Sequence, residues 1–507
     1  MKNTKRSEST ITSNYNASMS DILFSHSYFY RRDPKQWKNK TPFPPLGTLY
    51  AAALMRENGY KVNLFDTCLV HDPLDITPVM KLLTPKYFVI YDDGFNYLTK
   101  MCLTTMREAC FEMIRIGKSN GATIIVSSSD STDHAEKYLL QGADYIIQGE
   151  GEFTLLELIN TLERNQAPEE VAGIAYLRNN EYCVNAKRPV LQDLDALPLP
   201  AWDLVEMNDY KIIWSQSNQE FTLNIATTRG CPYKCNWCAK PIYGNRYNSH
   251  SPEYVANHLE FLRQSFGVKR FWMCDDIFGL KPNWVQQFNV ALKSKKLNIR
   301  YYIQSRVDLL LKEDTIDALA ESGLEEVWVG AESASQKILD AMDKGTKVEQ
   351  IYEATKLLKS KDIRVAFFLQ FGYPGENAQD IEDTIAMVKE LMPDNIGISV
   401  SYPLPGTPFF EKVKLELTQK ANWENSDDLE MMFNGTYKSK YYKKLQRFVH
   451  KEYRKTQGLH NLKTIAVNPL QVSVKKIISI MKLGYYVPGS YVNRISLKKL
   501  QSENRIR

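Results

Sequence analysis

The chain has 507 residues, 43% hydrophobic and 24% charged, which exceeds what one hydrophobic core serves and points to two or three domains of ordinary globular composition. No run of eighteen uncharged apolar residues occurs and no signal-like apolar segment opens the chain, so neither a bilayer span nor a secreted disulfide scaffold is expected. The eight cysteines are then expected as reduced thiols in a cytoplasmic protein. The net charge of +5 hides an asymmetry: residues 436–507 hold 17 Lys and Arg against 2 acidic residues, which leaves −10 on the other 435.

Residues 1–18 are polar, with a single Ile among Ser, Thr and Asn, and are expected to be a disordered tail, with Met19 as a candidate start. From residue 19 the chain alternates. "DILFS" reads as a strand, "PPLGTLYAAALMRENGY" as a helix opened by prolines and closed by Gly59, and "KVNLFD" as the next strand. "KYFVIYD", "ATIIVSS" and "ADYIIQG" continue the strands, each apolar almost throughout, with helices between them. That pattern predicts a buried parallel sheet over 19–165. Residues 166–215 read as a hairpin and a Pro-punctuated linker. A second αβ series over 216–411 runs through "FTLNIATT", "KRFWMCDD", "IRYYIQSR", "EEVWVGAES", "RVAFFLQFGYPGE" and "NIGISVSYPLPGTP". Six such strands make an open or partial barrel, with its chemistry at the strands' carboxyl ends. Residues 412–507 are basic and mainly helical, ending in the amphipathic "NPLQVSVKKIISIMKLGYYVPGSYV". Tyr437, Tyr441, Tyr442 and Lys443 stand here either as a recognition surface for an anionic or lipid-associated molecule or as a solvated helix face.

"GCPYKCNWCAKPIYG" places Cys231, Cys235 and Cys238 within eight positions, just after a strand. Three thiolates at i, i+4 and i+7 converge if the loop wraps around one centre. Structural zinc needs a fourth ligand, and His250 is the nearest candidate. A buried thiol cluster is the blander alternative. A cubane iron–sulfur cluster normally takes four cysteines, so three leave one iron open to a small chelating molecule. Cys68, Cys102, Cys110, Cys183 and Cys274 show no paired spacing and are expected as ordinary buried thiols.

With "CPYKCNWC" the sequence resembles the radical S-adenosylmethionine family, whose motif is C-x-x-x-C-x-aromatic-C. The resemblance implies a 4Fe-4S cluster on Cys231, Cys235 and Cys238, with Trp237 packing near the cofactor's adenine. It further implies S-adenosylmethionine contacts from Asp275 and Asp276 after the second strand, where the family's common Gly-Gly-Glu is replaced. Gln304 and Arg306 after the third strand, Glu332 after the fourth and Gln370 and Gly372 after the fifth complete the implied set. A zwitterionic, cationic cofactor needs such cations, carboxylates and close backbone. An Arg306–Glu332 ion pair that only ties strands together is the structural alternative.

The whole order of segments, over about residues 20–410, resembles the cobalamin-binding subclass of that family, the class B methyltransferases. It implies a flavodoxin-like or Rossmann-like cobalamin-binding domain, a partial (β/α)6 barrel of TIM type, and a mainly helical C-terminal region. The cobalamin candidates are Pro45, Gly47, Ser128, Gly149, Glu150 and Gly151, at the strand ends of the first domain. No D-x-H-x-x-G string supplies a cobalt-ligating His; the subclass commonly lacks it, and a domain that has lost cobalamin is the alternative. The implied reaction is reductive cleavage of S-adenosylmethionine with methylation of an unactivated carbon. Radical oxidation, cyclisation or rearrangement is the rival, and a non-catalytic iron–sulfur sensor the reading from another class. Expected partners are a small-molecule or lipid-like substrate and an electron donor such as flavodoxin or ferredoxin, with no nucleic acid. The expected location is cytoplasmic, with peripheral membrane contact through the basic region.

Overall fold

The computed structural model describes residues 12, 15, 20–96, 99–100, 102–417, 420, 422–426 and 428–503. The disorder expected of residues 1–18 therefore falls, Thr12 and Tyr15 apart, outside the described residues. The protein is α/β and divides into two compact units: one takes the chain to Pro232, then 240–301 and 422–427, and the other takes 233–239, 302–421 and 428 onward.

The first unit is built on a seven-stranded sheet in the order β2-β1-β3-β4-β5-β6-β7. Its strands are β1 (Ile22–Ser25), β2 (Val62–Phe65), β3 (Tyr87–Tyr91), β4 (Thr123–Ser127), β5 (Tyr145–Ile147), β6 (Ile174–Arg178) and β7 (Glu181–Val184). The first five pair in parallel, with β1 between β2 and β3: Leu23 lies opposite both Asn63 and Phe88. Every residue of β1 and β3 is buried, as a parallel strand covered on both faces requires. Helices α1 (Leu46–Glu57), α2 (Thr104–Ser119) and α3 (Glu152–Glu163) lie in the connections. The expected hairpin after residue 165 adds two antiparallel strands, β6 and β7, to this same sheet. Helix α4 (Met207–Ser215) sits in the segment read as Pro-punctuated, burying Tyr210 and Trp214. The Trp214 indole N–H donates to the Pro42 carbonyl at 2.7 Å. The proline pattern concealed this helix, because its apolar stripe spans only nine residues.

Strands β8 (Leu223–Ile225) and β11 (Arg270–Met273) pair in parallel, and the two-residue strands β9 (Thr228–Arg229) and β10 (Asn248–Ser249) form a short antiparallel ladder. Helix α5 (Pro252–Phe266) shows why this region is helical: the Ser251 hydroxyl caps the Tyr254 N–H, Pro252 takes the first turn, and Gly267 closes it at φ +70°.

Strand β12 (Arg300–Ser305), which enters the second unit at Tyr302, and β13 (Leu324–Glu332), β14 (Arg364–Phe371) and β15 (Asn395–Val400) are consecutive neighbours, with β13, β14 and β15 paired in parallel. Helices α6 (Val348–Ser360) and α7 (Ala378–Leu391) connect them. The β13–β14 register slips between Gly330 and Glu332, a bulge that re-aims the strand end. The remainder is helical: α8 (Ser439–Val467), α9 (Val474–Met481) and α10 (Leu483–Glu503). Tyr437, Tyr441 and Tyr442 correct the solvated-face reading, since all three are buried and the Tyr437 and Tyr441 rings stack at 4.1 Å. Lys443 alone of that group is exposed. The Tyr pairs are core aromatics because α8 turns that face inward with Leu445, Phe448 and Val449. Among the described residues no helix is long and apolar enough to cross a membrane.

Candidate active site

The cysteine segment starts where backbone space is smallest. Gly230 lies at φ +78°, and a Cβ there would stand 2.5 Å from the Arg246 carbonyl oxygen, so only glycine leads into Cys231. From Tyr233 to Ala239 the segment belongs to the second unit, where Asn236 pins it. The Asn236 amide nitrogen donates to the Ala341 carbonyl and to Asp343, each at 2.8 Å; its carbonyl oxygen accepts from the Tyr373 hydroxyl, also at 2.8 Å. Backbone bonds from Asn236 N–H to Met342 and from Phe409 N–H to Asn236 complete the clamp, and the Cys238 N–H turns back to the Cys235 carbonyl at 3.1 Å. Cys231, Cys235 and Cys238 are all partly exposed, unlike the buried thiols of Cys68, Cys102, Cys110 and Cys274. Cys183, expected to be buried, is half-exposed on edge strand β7, since an edge strand has only one covered side.

His250 is committed elsewhere. Its Nδ1 lies 2.9 Å from Asp195, its ring stacks on Tyr254 at 4.1 Å, and burial lowers its pKa. The zinc reading's candidate fourth ligand is thus a buried histidine held by Asp195 and Tyr254.

Around Cys235 the second unit gathers charge. Arg306 is buried, forks onto Asp308 at 2.9 and 3.3 Å, lies over the Tyr233 ring at 3.7 Å and brings Nη1 to 3.9 Å from the Cys235 sulfur. Glu332 pairs with Lys344 at 2.8 Å. The Arg306–Glu332 tie left open by the sequence is thus replaced by two separate pairs. Lys344 carried no sequence signal, yet it is buried and stands 6.0 Å from the Trp237 ring. Burial opposes its charge, but Glu332 and then Cys235 outweigh it and raise its pKa. A side chain at Gly330 would collide with both Lys344 Nζ and Glu332 Oε1. The Trp237 indole N–H is buried without a partner.

Gln304 is half-buried on β12, and Gln370 donates to the Ser401 hydroxyl at 2.9 Å. Gly372, at φ +82°, donates its N–H to Glu376 at 2.7 Å. Glu376 is buried with one carboxyl oxygen unpartnered, and burial pushes its pKa up to about 8.

In the first unit Asp275 is wholly engaged with its own strands: it accepts from the Thr227 N–H at 2.6 Å, the Thr227 hydroxyl at 2.5 Å and the Thr228 N–H at 2.8 Å. Burial raises its pKa to about 7 against those donors. Asp276 is ion-paired with Lys100.

The expected cobalamin residues gather at the carboxyl edge of the parallel strands. Gly47 packs on the backbone after β3, where a Cβ would lie 3.2 Å from the Asp92 oxygen and the Asp93 Cα, and its N–H donates to Asp93 at 3.2 Å. Pro45 precedes α1, and Ser128 caps the short helix after β4 by accepting from Ser131 N–H. Gly151 opens α3 with no room for a Cβ between Tyr91 and Ser127, and Gly149 takes φ +80°. A small cavity here is lined by Tyr91, Asp92, Ser127, Ser128, Ile242 and Tyr243.

Glu150 instead turns its side chain to Arg229, which sequence reading missed. Arg229 Nη1 meets Glu150 at 2.5 Å and Nη2 meets Glu152 at 2.8 Å, all three buried, while its Nε has no partner. The guanidinium is flanked by Tyr50, Phe95 and Tyr243 at 5.4–5.6 Å. The "GEGE" loop and the residue two before Cys231 are thereby held in one network.

A profile described as the radical SAM superfamily matches residues 225–388. The chain is 27% identical over 389 residues to an uncharacterized methyltransferase of Pyrococcus horikoshii, covering 76% of this chain and 81% of that one. It is 25% identical to the anaerobic magnesium-protoporphyrin IX monomethyl ester cyclase of Rubrivivax gelatinosus, covering 77% and 70%. Among solved structures it is similar to the radical S-adenosylmethionine methyltransferase TsrM of Kitasatospora setae with cobalamin and a [4Fe-4S] cluster bound. That match has a TM-score of 0.66 at 18% identity over 78% of each chain, a likeness of fold.

Proposed function

We propose, from the premise that residues 225–388 are a radical S-adenosylmethionine domain, that this chain is a cobalamin-dependent radical enzyme that methylates an unactivated carbon. The observation that carries it is the three-cysteine motif, with Arg306 close to Cys235. In this reading residues 19–165 are the cobalamin-binding domain, 166–215 the hairpin and linker, 216–411 the partial (β/α)6 barrel and 412–507 the region that sets specificity. Cys231, Cys235 and Cys238 hold the 4Fe-4S cluster; soft, partly exposed thiols suit it, and the missing fourth cysteine leaves room for a small chelate. When bound, the cluster supplies an electron to S-adenosylmethionine and cobalamin supplies a methyl group.

The chain's own residues bind and orient. Arg306 offers a partner for a carboxylate beside Cys235, Trp237 an aromatic face with an unpartnered donor, and Gly372 a backbone amide held by Glu376. Glu332, Gln304, Gln370 and Asp276 complete the S-adenosylmethionine set, while Asp275 acts through Thr227 and Thr228 as a positioning residue. Pro45, Gly47, Ser128, Gly149 and Gly151 form the cobalamin edge, and Glu150 positions it through Arg229. The substrate is a small or lipid-like molecule, the electron donor a flavodoxin or ferredoxin, and the basic C-terminal region meets a membrane surface in the cytoplasm.

Cyclisation without methyl transfer is the second reading, favoured by the likeness to the ester cyclase. One anaerobic preparation tests both: iron content, the visible spectrum after cobalamin addition, and 5′-deoxyadenosine formed with dithionite. Absence of 5′-deoxyadenosine overturns radical chemistry. A product heavier by one methyl group for one hydrogen supports methylation; turnover with no mass gain supports the second reading.

A further inference from the structure

Helix α9 is amphipathic in the wrong sense for a soluble protein. In "VKKIISIM" a period of 3.6 residues puts Val474, Ile477, Ile478 and Met481 on one side and Lys475, Lys476 and Ser479 on the other. A packed helix buries the first side. Here Val474 is 73% exposed, Ile477 43%, Ile478 44% and Met481 76%. The side turned towards α8 is a different one: a Cβ added at Gly458 would meet the Leu483 side chain at 2.6 Å and the Ser479 backbone carbonyl oxygen at 3.1 Å, and Ser479 and Ile480 are half-exposed there.

The anomaly extends beyond one helix. No residue from 459 to 489 is buried, and the exposed side chains include Leu470 at 95% and Tyr485 at 63%. The same thirty-one residues contain four lysines and no Asp or Glu. Lys463, Lys475 and Lys482 are exposed and Lys476 half-exposed. An uncovered apolar surface of this extent marks an interaction site. A second copy of the chain seated on it would bring like charges together. An anionic surface with an apolar interior complements both features at once: lysines at the headgroups, Val, Ile, Leu and Met at the acyl boundary, and tyrosine at the interface.

We propose that the exposed apolar face of α9, with Leu470 and Tyr485 beside it, docks on the surface of an anionic phospholipid bilayer without crossing it. This deepens the membrane contact proposed above and is independent of the radical chemistry, so a failure here leaves the 5′-deoxyadenosine assay untouched, and the reverse.

Flotation of the full chain, purified anaerobically, tests it. The probes are vesicles of phosphatidylcholine alone and vesicles with about a third phosphatidylglycerol, the regime in which each basic residue adds measurably to binding. The native chain is expected to float with the anionic vesicles and to be released as ionic strength rises. The double variant Ile478→Asp, Met481→Asp is expected to lower vesicle partitioning at least about tenfold, because it charges the inserted face. Val290→Asp, at an exposed apolar position in the first unit, is expected to leave partitioning unchanged. No flotation with either vesicle, equal flotation with both, or retained flotation of the double variant would each overturn the proposal. So would self-association of the native chain that the double variant abolishes while vesicles stay unbound.

Discussion

Glu332 combines three unfavourable features: left-handed backbone at φ +56°, burial and a negative charge. Lys344 offsets the last of these. Removing one partner of a buried pair strands the other, so Lys344→Met should lower unfolding free energy by about 3–5 kcal/mol. The double variant with Glu332→Met should recover much of that loss in chemical denaturation, as expected when the cost lies in the unpaired charge. Neither the turn "DKGTK" nor the strand "GAES" announces this pair, because they meet only when the bulge turns Glu332 inward. Glu376 makes a pH prediction. Folded, it keeps its proton up to about pH 8 because burial disfavours the anion; unfolded, a glutamic acid loses it near pH ~4.3. The folded state binds the extra proton between those values, so its contribution to stability is full below the lower one and is lost as pH rises through the upper. Glu376→Gln should flatten the fall in melting temperature between about pH 5 and 8. Asp92 and Asp275, also raised by burial to about 6 and about 7, leave a residual slope of the same sign.

At the scale of elements, Arg229 ties the loop from β5 to α3 to the start of the cysteine segment. Arg229→Met leaves Glu150 and Glu152 buried without a cation. It is expected to lower iron retained per chain after anaerobic reconstitution, with Arg229→Lys keeping more of it because one charge remains without the fork. Iron content equal to the native chain's would show the tie to be dispensable. Strands were legible in the sequence because a parallel strand covered on both faces reads as an unbroken apolar run, as "YFVIY" and "TIIVS" do. Helix α4 was not, since proline-rich flanks and a nine-residue stripe give periodicity little to work on. The aromatic run of α8 misled for another reason: Tyr looks polar enough for a wet face until its ring is seen stacked.

At the scale of the whole molecule, the reading as a cobalamin enzyme has a consequence that needs no turnover. A ligand that binds only the folded state stabilises it by about 2.7 kcal/mol at a hundredfold excess over its dissociation constant. Hydroxocobalamin should therefore raise the melting temperature of the cofactor-free chain, and no rise at saturating concentration would overturn the cobalamin assignment. By itself the sequence determined the αβ character, the strand series, the cysteine motif and the charge asymmetry of the last seventy residues. Each is local: spacing, periodicity and composition act over a few residues and survive in a linear string. Only the tertiary structure decided that Glu150 faces Arg229, that Glu332 takes Lys344 rather than Arg306, and that Asp275 serves Thr227 and Thr228. It alone decided that Tyr441 is core while Ile478 and Met481 are not. These depend on which charges burial forces together and which helix face finds a neighbour, and both are set by chain segments far apart in sequence.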